Sequence, residues 1–249
     1  MIRLENISKT FNRGSANEVA ALKNISLKIN DKEFVVIVGG NGSGKSTLLN
    51  IISGKIIADA GKIFLENKDV TRFEEHKRSK WIARIFQDPL TGTAPDLSIL
   101  ENFRLASLRT QKKKLSIGTG KNFQEEVKEK ISMLGLGIEN NIHRPMSSLS
   151  EGQRQALTLA MAIMCEAKII LLDEPASALD PKTAAVVMKS AEKIISDFSL
   201  TAILVTHNIK EAMMFGSRII QIADGEIVRD IKGDDKTSLK PSDIVEWFG

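Results

Sequence analysis

Residues 34–50 read FVVIVGGNGSGKSTLLN, and this stretch decides the fold of the chain. Five apolar residues run to Val38 without a polar break, as in a strand that is buried on both faces of a parallel sheet. A glycine-rich turn follows, and Leu48, Leu49 and Ile52 then recur at helical spacing. The turn fits the pattern Gly39-x4-Gly44-Lys45-Ser46 between a strand and a helix. The stretch therefore predicts an α/β core that holds a phosphate group.

The chemistry of this loop follows from its residue types. Glycines let consecutive backbone N–H groups turn inward at a helix N-terminus, where the helix dipole favours an anion. Lys45 can reach the β- and γ-phosphates of a nucleotide, and the Ser46 hydroxyl can bind Mg²⁺. The predicted nucleotide-binding residues of the loop are Gly39, Gly40, Asn41, Gly42, Ser43, Gly44, Lys45, Ser46 and Thr47.

A second buried strand ends in two carboxylates. Ile169 to Leu172 is continuously apolar, and Asp173 and Glu174 follow it directly. The carboxyl ends of parallel strands border the ligand site in open α/β sheets, so both acids are expected beside the phosphate loop. Asp173 is the predicted Mg²⁺ ligand, and Glu174 can polarise a water for attack on the γ-phosphate. Taken alone, such a pair also fits the charged start of a helix.

The rest of the chain supports a mostly parallel sheet with additions. Residues 202–205 form a third apolar run, whereas residues 2–8, 22–29 and 62–65 predict an antiparallel patch. Asp224-Gly225 predicts a hairpin between 218–222 and 226–229. Leu97, Leu100 and Phe103, and then Val127, Ile131 and Leu134, predict helices in the middle third. Residues 111–123 are predicted to form an exposed loop, whose lysines are either solvated or bind phosphate or lipid headgroups.

Composition narrows the function classes. The chain has 249 residues, 42% of them hydrophobic, so it can bury a core and is not disordered. Its net charge of +4 gives no massed basic face, and we expect no nucleic-acid partner. No apolar stretch reaches the roughly 18–20 residues of a membrane-spanning helix. Cys165, the only cysteine, lies in an apolar run and is predicted to be a buried core residue.

A capped helix begins near residue 150. Ser150 and Gln153 form a capping-box pattern before a long apolar-periodic stretch. The start of that helix is either a second anion site or an ordinary helix terminus.

Together these motifs resemble the nucleotide-binding subunit of an ATP-binding cassette (ABC) transporter over residues 2–230. The matching segments, in the family's order, are the phosphate loop 39–47, the glutamine loop 85–89, the signature 149–153, the acidic strand end 169–174, residues 177–180 and residues 206–208. The resemblance implies a P-loop NTPase core with a mostly parallel sheet, an N-terminal antiparallel β subdomain and an inserted α-helical subdomain. It also implies that residues 1–249 form one ATPase domain. Its expected parts are a core at about 1–89 and 166–230, a helical subdomain at about 90–165 and a tail at 231–249.

The resemblance implies roles for further residues. Two copies would close head to tail, and ATP with Mg²⁺ would lie between the phosphate loop of one copy and Ser150, Gly152 and Gln153 of the other. His207 would contact the γ-phosphate and orient Glu174, Gln87 would approach Mg²⁺, and Asp180 would communicate between sites. Phe11 either stacks on adenine or packs in the core. The chain departs from the usual family pattern at Phe11, Gly40, Glu151 and Asn208.

The expected activity is ATP hydrolysis that powers transport at the cytoplasmic face of the cell membrane, where the chain would be peripheral. The motifs look like importer-type subunits, especially a group related to tryptophan and tyrosine uptake systems. The expected partners are a second copy, integral membrane permease subunits and a separate substrate-binding protein. Residues 81–108 either line a groove for a permease helix or pack in the core. The alternative function is that of a soluble ATPase in an assembly complex, such as that of iron–sulfur cluster biogenesis.

Overall fold

The computed structural model describes residues 1–110, 118–245 and 247. The chain divides into two compact units. The first consists of Met1–Ser79, Leu171–Glu174 and Leu200–Gly249, and the second consists of Lys80–Ile170 and Pro175–Ser199.

Strands and helices alternate through most of the described residues. The strands are β1 (Ile2–Phe11), β2 (Val19–Ile29), β3 (Phe34–Val38), β4 (Ala60–Leu65), β5 (Lys68–Asp69), β6 (Ile82–Ile85), β7 (Ile169–Asp173), β8 (Thr201–Val205), β9 (Arg218–Ala223) and β10 (Glu226–Lys232). The helices are α1 (Lys45–Ser53), α2 (Glu75–Arg78), α3 (Ile99–Ser107), α4 (Lys121–Ser132), α5 (Glu151–Met164), α6 (Pro181–Asp197), α7 (Ile209–Met214), α8 (Asp234–Thr237) and α9 (Pro241–Val245).

The first unit contains an antiparallel sheet with the strand order β2-β1-β4-β5. Ile2 faces Ile29 of β2 and Leu65 of β4, and these apolar side chains are fully buried. The antiparallel patch expected from residues 2–8, 22–29 and 62–65 is confirmed.

The mostly parallel sheet of the first unit has the order β10-β9-β3-β8-β7. Strand β3 pairs in parallel with both β8 and β9, and its residues from Val35 to Val38 are completely buried. Strand β10 returns antiparallel to β9 through Asp224 and Gly225, which have φ angles of +49° and +79°. Two such angles suit the tight hairpin turn that the sequence predicts.

The second unit is mainly helical. Within this unit, the N–H of Ile169, at the start of β7, donates to the carbonyl of Trp81 just before β6. Helix α5 is buried along most of its length and packs against α3, α4 and α6. Cys165 follows α5 and is fully buried, as the sequence predicts.

Three boundaries differ from the predictions. Helix α4 ends at Ser132, so Leu134, which the periodicity placed in this helix, lies beyond its end. Helix α3 begins at Ile99 and excludes Leu97, because Ser98 caps it in a capping box with Glu101. The predicted loop over 111–123 is wrong at its end, since α4 begins at Lys121 after an extended Gly120. Residues 111–117 of that loop lie outside the described residues. Within the described part of the chain, no helix combines the length and apolarity needed to cross a bilayer.

Candidate active site

The phosphate loop connects β3 to α1, and two of its glycines are required by close backbone contacts. Gly39 has a φ of +149°, and a Cβ atom there would lie 2.1 Å from the carbonyl oxygen of Ile222. Gly44 has a φ of +107°, and its Cβ would lie 2.5 Å from the carbonyl oxygen of Ala21. Any side chain at either position would therefore push the loop away from β9 or β2.

Lys45 lies at the start of α1 with its ammonium group turned back over the loop. Its Nζ donates to the carbonyl oxygens of Gly39 at 2.9 Å and Gly40 at 2.7 Å. Burial lowers the pKa of Lys45, and the nearby charges of Glu174 and Asp173 act in the opposite direction. The lysine and both predicted acids therefore belong to one electrostatic site.

The first turn of α1 offers backbone donors next to this lysine. Gly44 is the N-cap residue, and its lack of a side chain leaves the first helical N–H groups uncapped. Such a helix start attracts phosphate through its N–H groups and its dipole. Ser46 is exposed on the same turn, as are Asn41 and Gly42 within the loop.

One contact that supports the phosphate loop, made by the hairpin turn between β9 and β10, could not be predicted from the sequence. The N–H of Gly225 donates to the carbonyl of Ser43 at 3.1 Å, and the carbonyl of Gly225 accepts from Lys23 at 2.8 Å. The hairpin turn between β9 and β10 thus links β2 to the phosphate loop. The Asp224-Gly225 dipeptide predicted the turn, but the sequence did not indicate that the turn would contact the phosphate loop and β2.

Asp173 ends β7 and Glu174 follows it directly, and both side chains are partly buried. Glu174 adopts a left-handed backbone with a φ of +47°, and its N–H donates to the carbonyl of Val205. A non-glycine residue in this conformation is uncommon and concentrates at functional sites. This strained backbone conformation sets the direction of the Glu174 carboxylate.

The structure brings His207 to Glu174. The Nδ1 atom of His207 lies 2.9 Å from Oε2 of Glu174, and the side chains are 57% and 20% exposed. The pair is thus open to a substrate on the histidine side while the carboxylate is sheltered. This arrangement suits a base that takes a proton from water, with a histidine that fixes its orientation.

The signature residues lie in the second unit at the start of α5. Ser150 accepts the N–H of Gln153, whose side chain accepts the N–H of Ser150, so the predicted capping box is present. A Cβ at Gly152 would lie 2.1 Å from Cγ2 of Thr183, which explains why this position has no side chain.

Asp180 is the N-cap residue of α6. Its carboxylate accepts the N–H groups of Lys182 and Thr183, and hydrogen bonding to Thr183 is the main cause that lowers the pKa of Asp180. The structure thus gives Asp180 a capping role, and its predicted communication between sites stays a prediction.

Gln87 is exposed and follows a residue that α5 anchors. The buried side chain of Gln155 donates its Nε2 to the carbonyl of Phe86 at 2.8 Å. The helix that begins with the signature therefore also holds the backbone just before Gln87. The sequence reasoning did not single out Gln155, whose position in the apolar-periodic stretch suggested only packing.

Phe11 ends β1 and is half-buried. The ammonium of Lys9 lies 5.6 Å from the centroid of its ring, and Val19 faces it across β2. These neighbours are compatible with either predicted role, so adenine stacking at Phe11 stays a prediction.

Comparisons with known proteins show which family the chain belongs to. The "ABC transporter" family profile matches residues 22–177. A tyrosine transport ATP-binding protein of Clostridioides difficile is 40% identical over the whole of this chain and 98% of its own length. A phosphonates import ATP-binding protein of Bdellovibrio bacteriovorus is 31% identical over the whole of this chain and 92% of its own length.

A solved structure extends the likeness to three dimensions. The ATP-binding cassette MJ0796, described as a dimer in a post-hydrolysis state bound to ADP and phosphate, is 34% identical to this chain with a TM-score of 0.80. The match covers 93% of this chain and 98% of that chain. The phosphate loop, the acidic strand end and these likenesses agree, and the chain therefore belongs to the ABC transporter ATP-binding family and is an ATPase.

Proposed function

We propose that this chain is the ATP-hydrolysing subunit of a membrane transporter of importer type. The observation that carries the ATPase part of the proposal is the pairing of Glu174 with His207 beside Lys45 and Asp173. The similarity to a tyrosine transport and a phosphonates import ATP-binding protein supports the importer part. Water attacks the γ-phosphorus in line and gives its proton to Glu174, while the bond to the β-phosphate oxygen breaks. Lys45 and the α1 N–H groups stabilise the charge on the phosphates, and His207 holds Glu174 in place.

Mg²⁺ fits the oxygen donors that the first unit offers. The Ser46 hydroxyl is exposed on α1 and the Asp173 carboxylate is partly exposed, and both are ligand types that Mg²⁺ prefers beside phosphates. When bound, the ion neutralises charge on the β- and γ-phosphates. Gln87 is exposed in the second unit, and its part in the metal site rests on the family resemblance alone.

We infer that two copies close head to tail around ATP. The solved relative described as a dimer bound to ADP and phosphate supports this arrangement. Ser150 is exposed at the head of α5, and Gln153 is partly exposed, so these two signature residues are available to a nucleotide on a second copy. Helix α5 begins here, so its terminus adds a second set of N–H donors.

A cavity in the second unit supports a permease partner. It has a volume of about 270 Å³. Residues that follow the glutamine loop line it together with α3 and α5, and they include Thr91, Gly92, Thr93, Ala94, Leu105 and Met161. Leu105 is half exposed at this cavity and Leu90 is nearly as exposed beside Gln87 in sequence, so apolar surface is available to a partner helix.

Several residues of the stretch 81–108 pack in the core, which is one of the two roles predicted for it. Ile82, Ile99 and Leu100 are buried core residues and line no part of the cavity, whereas Ile85 is buried and lines it. The apolar periodicity that suggested a groove reflects packing at most of these positions. Within this range, the residues that line the cavity and are not buried include the stretch 91–94 and Leu105.

Cross-linking in native membranes tests the permease partner. In a Cys165→Ala background, a new thiol at Thr93, which lines the cavity, should form an adduct with an integral membrane protein, and the yield should change with ATP. Thiols at Leu90 and Leu97, which lie close to the cavity residues in sequence, are expected to do the same. Val186 is exposed on α6 outside the cavity, so a thiol there is the matched control and should give no such adduct. Adducts with soluble proteins alone would support the assembly-complex alternative, and equal adducts at Val186 would remove the cavity from the proposal.

The names of the relatives suggest the transported class. The C. difficile relative is named for tyrosine transport, and it is similar over its whole length. We propose a related importer with a separate substrate-binding protein, and a peripheral position at the cytoplasmic face of the membrane. Purification of the tagged chain in mild detergent, with identification of the co-purifying binding protein, tests the assignment through the ligand which that protein binds.

A further inference from the structure

The segment that carries His207 is fixed by a hydrogen-bond chain that the mechanism above does not use. The buried hydroxyl of Thr206 donates to Oε2 of Glu211 in α7, five residues further along. The same hydroxyl oxygen accepts the N–H of Asn208 at 3.0 Å. Glu211 therefore reaches back past His207 and holds the residues on both sides of it.

Asn208 closes this arrangement from the other end. Its Oδ1 accepts the N–H of Lys210 at 2.9 Å and the N–H of Glu211 at 3.4 Å, which makes Asn208 the N-cap of α7. The His207 ring, in contrast, is more than half exposed. Its position thus depends mainly on its two fixed neighbours and on Glu174.

Glu211 also lies in the electrostatic field of the catalytic pair. Burial raises the pKa of Glu211, the Thr206 hydroxyl and the charge of His207 lower it, and the charge of Glu174 raises it. A second, partly buried carboxylate therefore interacts electrostatically with both members of the Glu174–His207 pair.

We propose that Glu211 is a positioning residue that acts through the Thr206 hydroxyl to keep His207 paired with Glu174. The proposal rests on the role in ATP hydrolysis assigned above to Glu174 and His207. Neither Glu211 nor Thr206 belongs to the phosphate loop, so their loss should slow hydrolysis without weakening ATP binding. A shift of about 1 Å in a reacting group is enough to cost about 10²-fold in rate.

Kinetics of the full chain give the first test. Glu211→Leu and Thr206→Val should each lower kcat at least about tenfold and change KM for ATP by less than about threefold. Glu211→Gln keeps a hydrogen-bond acceptor and Thr206→Ser keeps a hydroxyl. The kcat of each variant should stay within about threefold of the wild-type value. Lys210→Ala, on the exposed side of α7, is the control and should leave kcat unchanged. Equal losses in Glu211→Gln and Glu211→Leu would overturn the proposal.

The double variant measures whether the two residues act as one unit. Glu211→Leu combined with Thr206→Val should lower kcat no further than either change alone, because both remove the same hydrogen bond. If the loss of kcat in the double variant equals the product of the two single losses, the two residues act independently and the proposal is contradicted.

Nuclear magnetic resonance of the His207 ring separates this proposal from the proposed function. The chain contains three histidines, so ¹⁵N-histidine labelling gives few ring signals, and loss of one set in His207→Gln identifies them. The Nδ1 signal of His207 should move in Glu211→Leu and Thr206→Val and stay in place in Lys210→Ala. If the Nδ1 signal of His207 stays in place in both Glu211→Leu and Thr206→Val, the proposal is wrong whatever the ATPase rates are. A moved signal would support it even if no permease is found.

Discussion

Gly39 and Gly44 show how single positions set the shape of the phosphate loop. Both have left-handed φ angles, and at both a Cβ would overlap a backbone carbonyl of another strand. A strained φ alone costs roughly 1–2 kcal/mol, whereas a clash with fixed backbone forces the loop to move. The glycine pattern predicted the loop, but the carbonyls of Ala21 and Ile222 that enforce it come from distant parts of the chain.

Alanine substitutions separate these two effects. Gly39→Ala and Gly44→Ala should each lower the free energy of unfolding by about 2–4 kcal/mol and weaken ATP binding, since the loop must leave its neighbours. Gly14 has a φ of +78° with open space around it, so Gly14→Ala is the matched control and should cost only about 1 kcal/mol. Urea unfolding and equilibrium ATP binding give both quantities. Equal costs at Gly14 and Gly39 would show that the clash is unimportant.

The acids at the end of β7 and the nearby His207 show how far prediction from sequence reaches at the residue scale. Asp173 and Glu174 could be predicted because an apolar strand directs them, and the motif order added His207. The positive φ of Glu174 and the hydrogen bond from Thr206 to Glu211 could not be predicted from the sequence. Both depend on how β7, β8 and α7 pack together in the first unit.

Helix α1 illustrates the same limit at the scale of elements. Its apolar spacing and its loop predicted the helix, whereas its C-terminal support comes from Arg78 in α2. The Arg78 guanidinium is fully buried and donates to the carbonyls of Ile51 at 2.7 Å and Ile52 at 2.9 Å. Its Nε donates to Phe73 at 2.7 Å, and burial lowers the pKa of Arg78 to about 10. A charged residue in a short polar stretch gives no sequence sign that it is buried.

Removal of this arginine tests its support for α1. Arg78→Met should lower the free energy of unfolding by about 3 kcal/mol, because buried carbonyls lose their charged donor. Lys77 is exposed on the same helix, so the free energy of unfolding of Lys77→Met should stay within about 0.5 kcal/mol of the wild-type value. Thermal or urea unfolding measures both, and similar values for the two variants would remove Arg78 as a support of the helix that begins at the phosphate loop.

Strand order could be predicted only in part. The apolar runs predicted buried parallel strands, and β3 does pair in parallel with β8. The sequence predicted β9 as one arm of a hairpin and gave no reason to place it beside β3. Local periodicity reports burial and spacing. The pairing of β3 with β9, whose partner residues are 183 positions apart, depends on the whole fold.

At the scale of the whole molecule, the account requires two copies. The phosphate loop lies in the first unit and the signature in the second, and a head-to-tail dimer would use one unit from each copy for every ATP. The expected subdomain boundaries, about 1–89, 90–165 and 166–230, rest on the resemblance, and they stay a prediction.

Complementation tests the shared sites. A Lys45→Ala chain and a Ser150→Arg chain should each be inactive, and their mixture should regain ATPase activity because one intact site forms per mixed dimer. Ser98→Arg removes an equivalent capping box from α3 and should remain active by itself, so it controls for loss of a helix cap. Inactivity at every mixing ratio, together with the absence of an ATP-dependent cross-link between thiols at positions 43 and 150, would argue against sites formed by two copies.

The central claim is that Glu174 takes the proton of the attacking water, and one comparison tests it most directly. The Glu174→Gln chain and the unchanged chain are assayed for steady-state phosphate release and for equilibrium ATP binding. Glu166 is an exposed acid with a similar left-handed backbone, at a φ of +49°, and Glu166→Gln is therefore the matched control. The account predicts that Glu174→Gln lowers hydrolysis about 10²–10⁴-fold while ATP binding is kept, and that Glu166→Gln changes neither. Hydrolysis by Glu174→Gln within twofold of the unchanged chain would contradict the account.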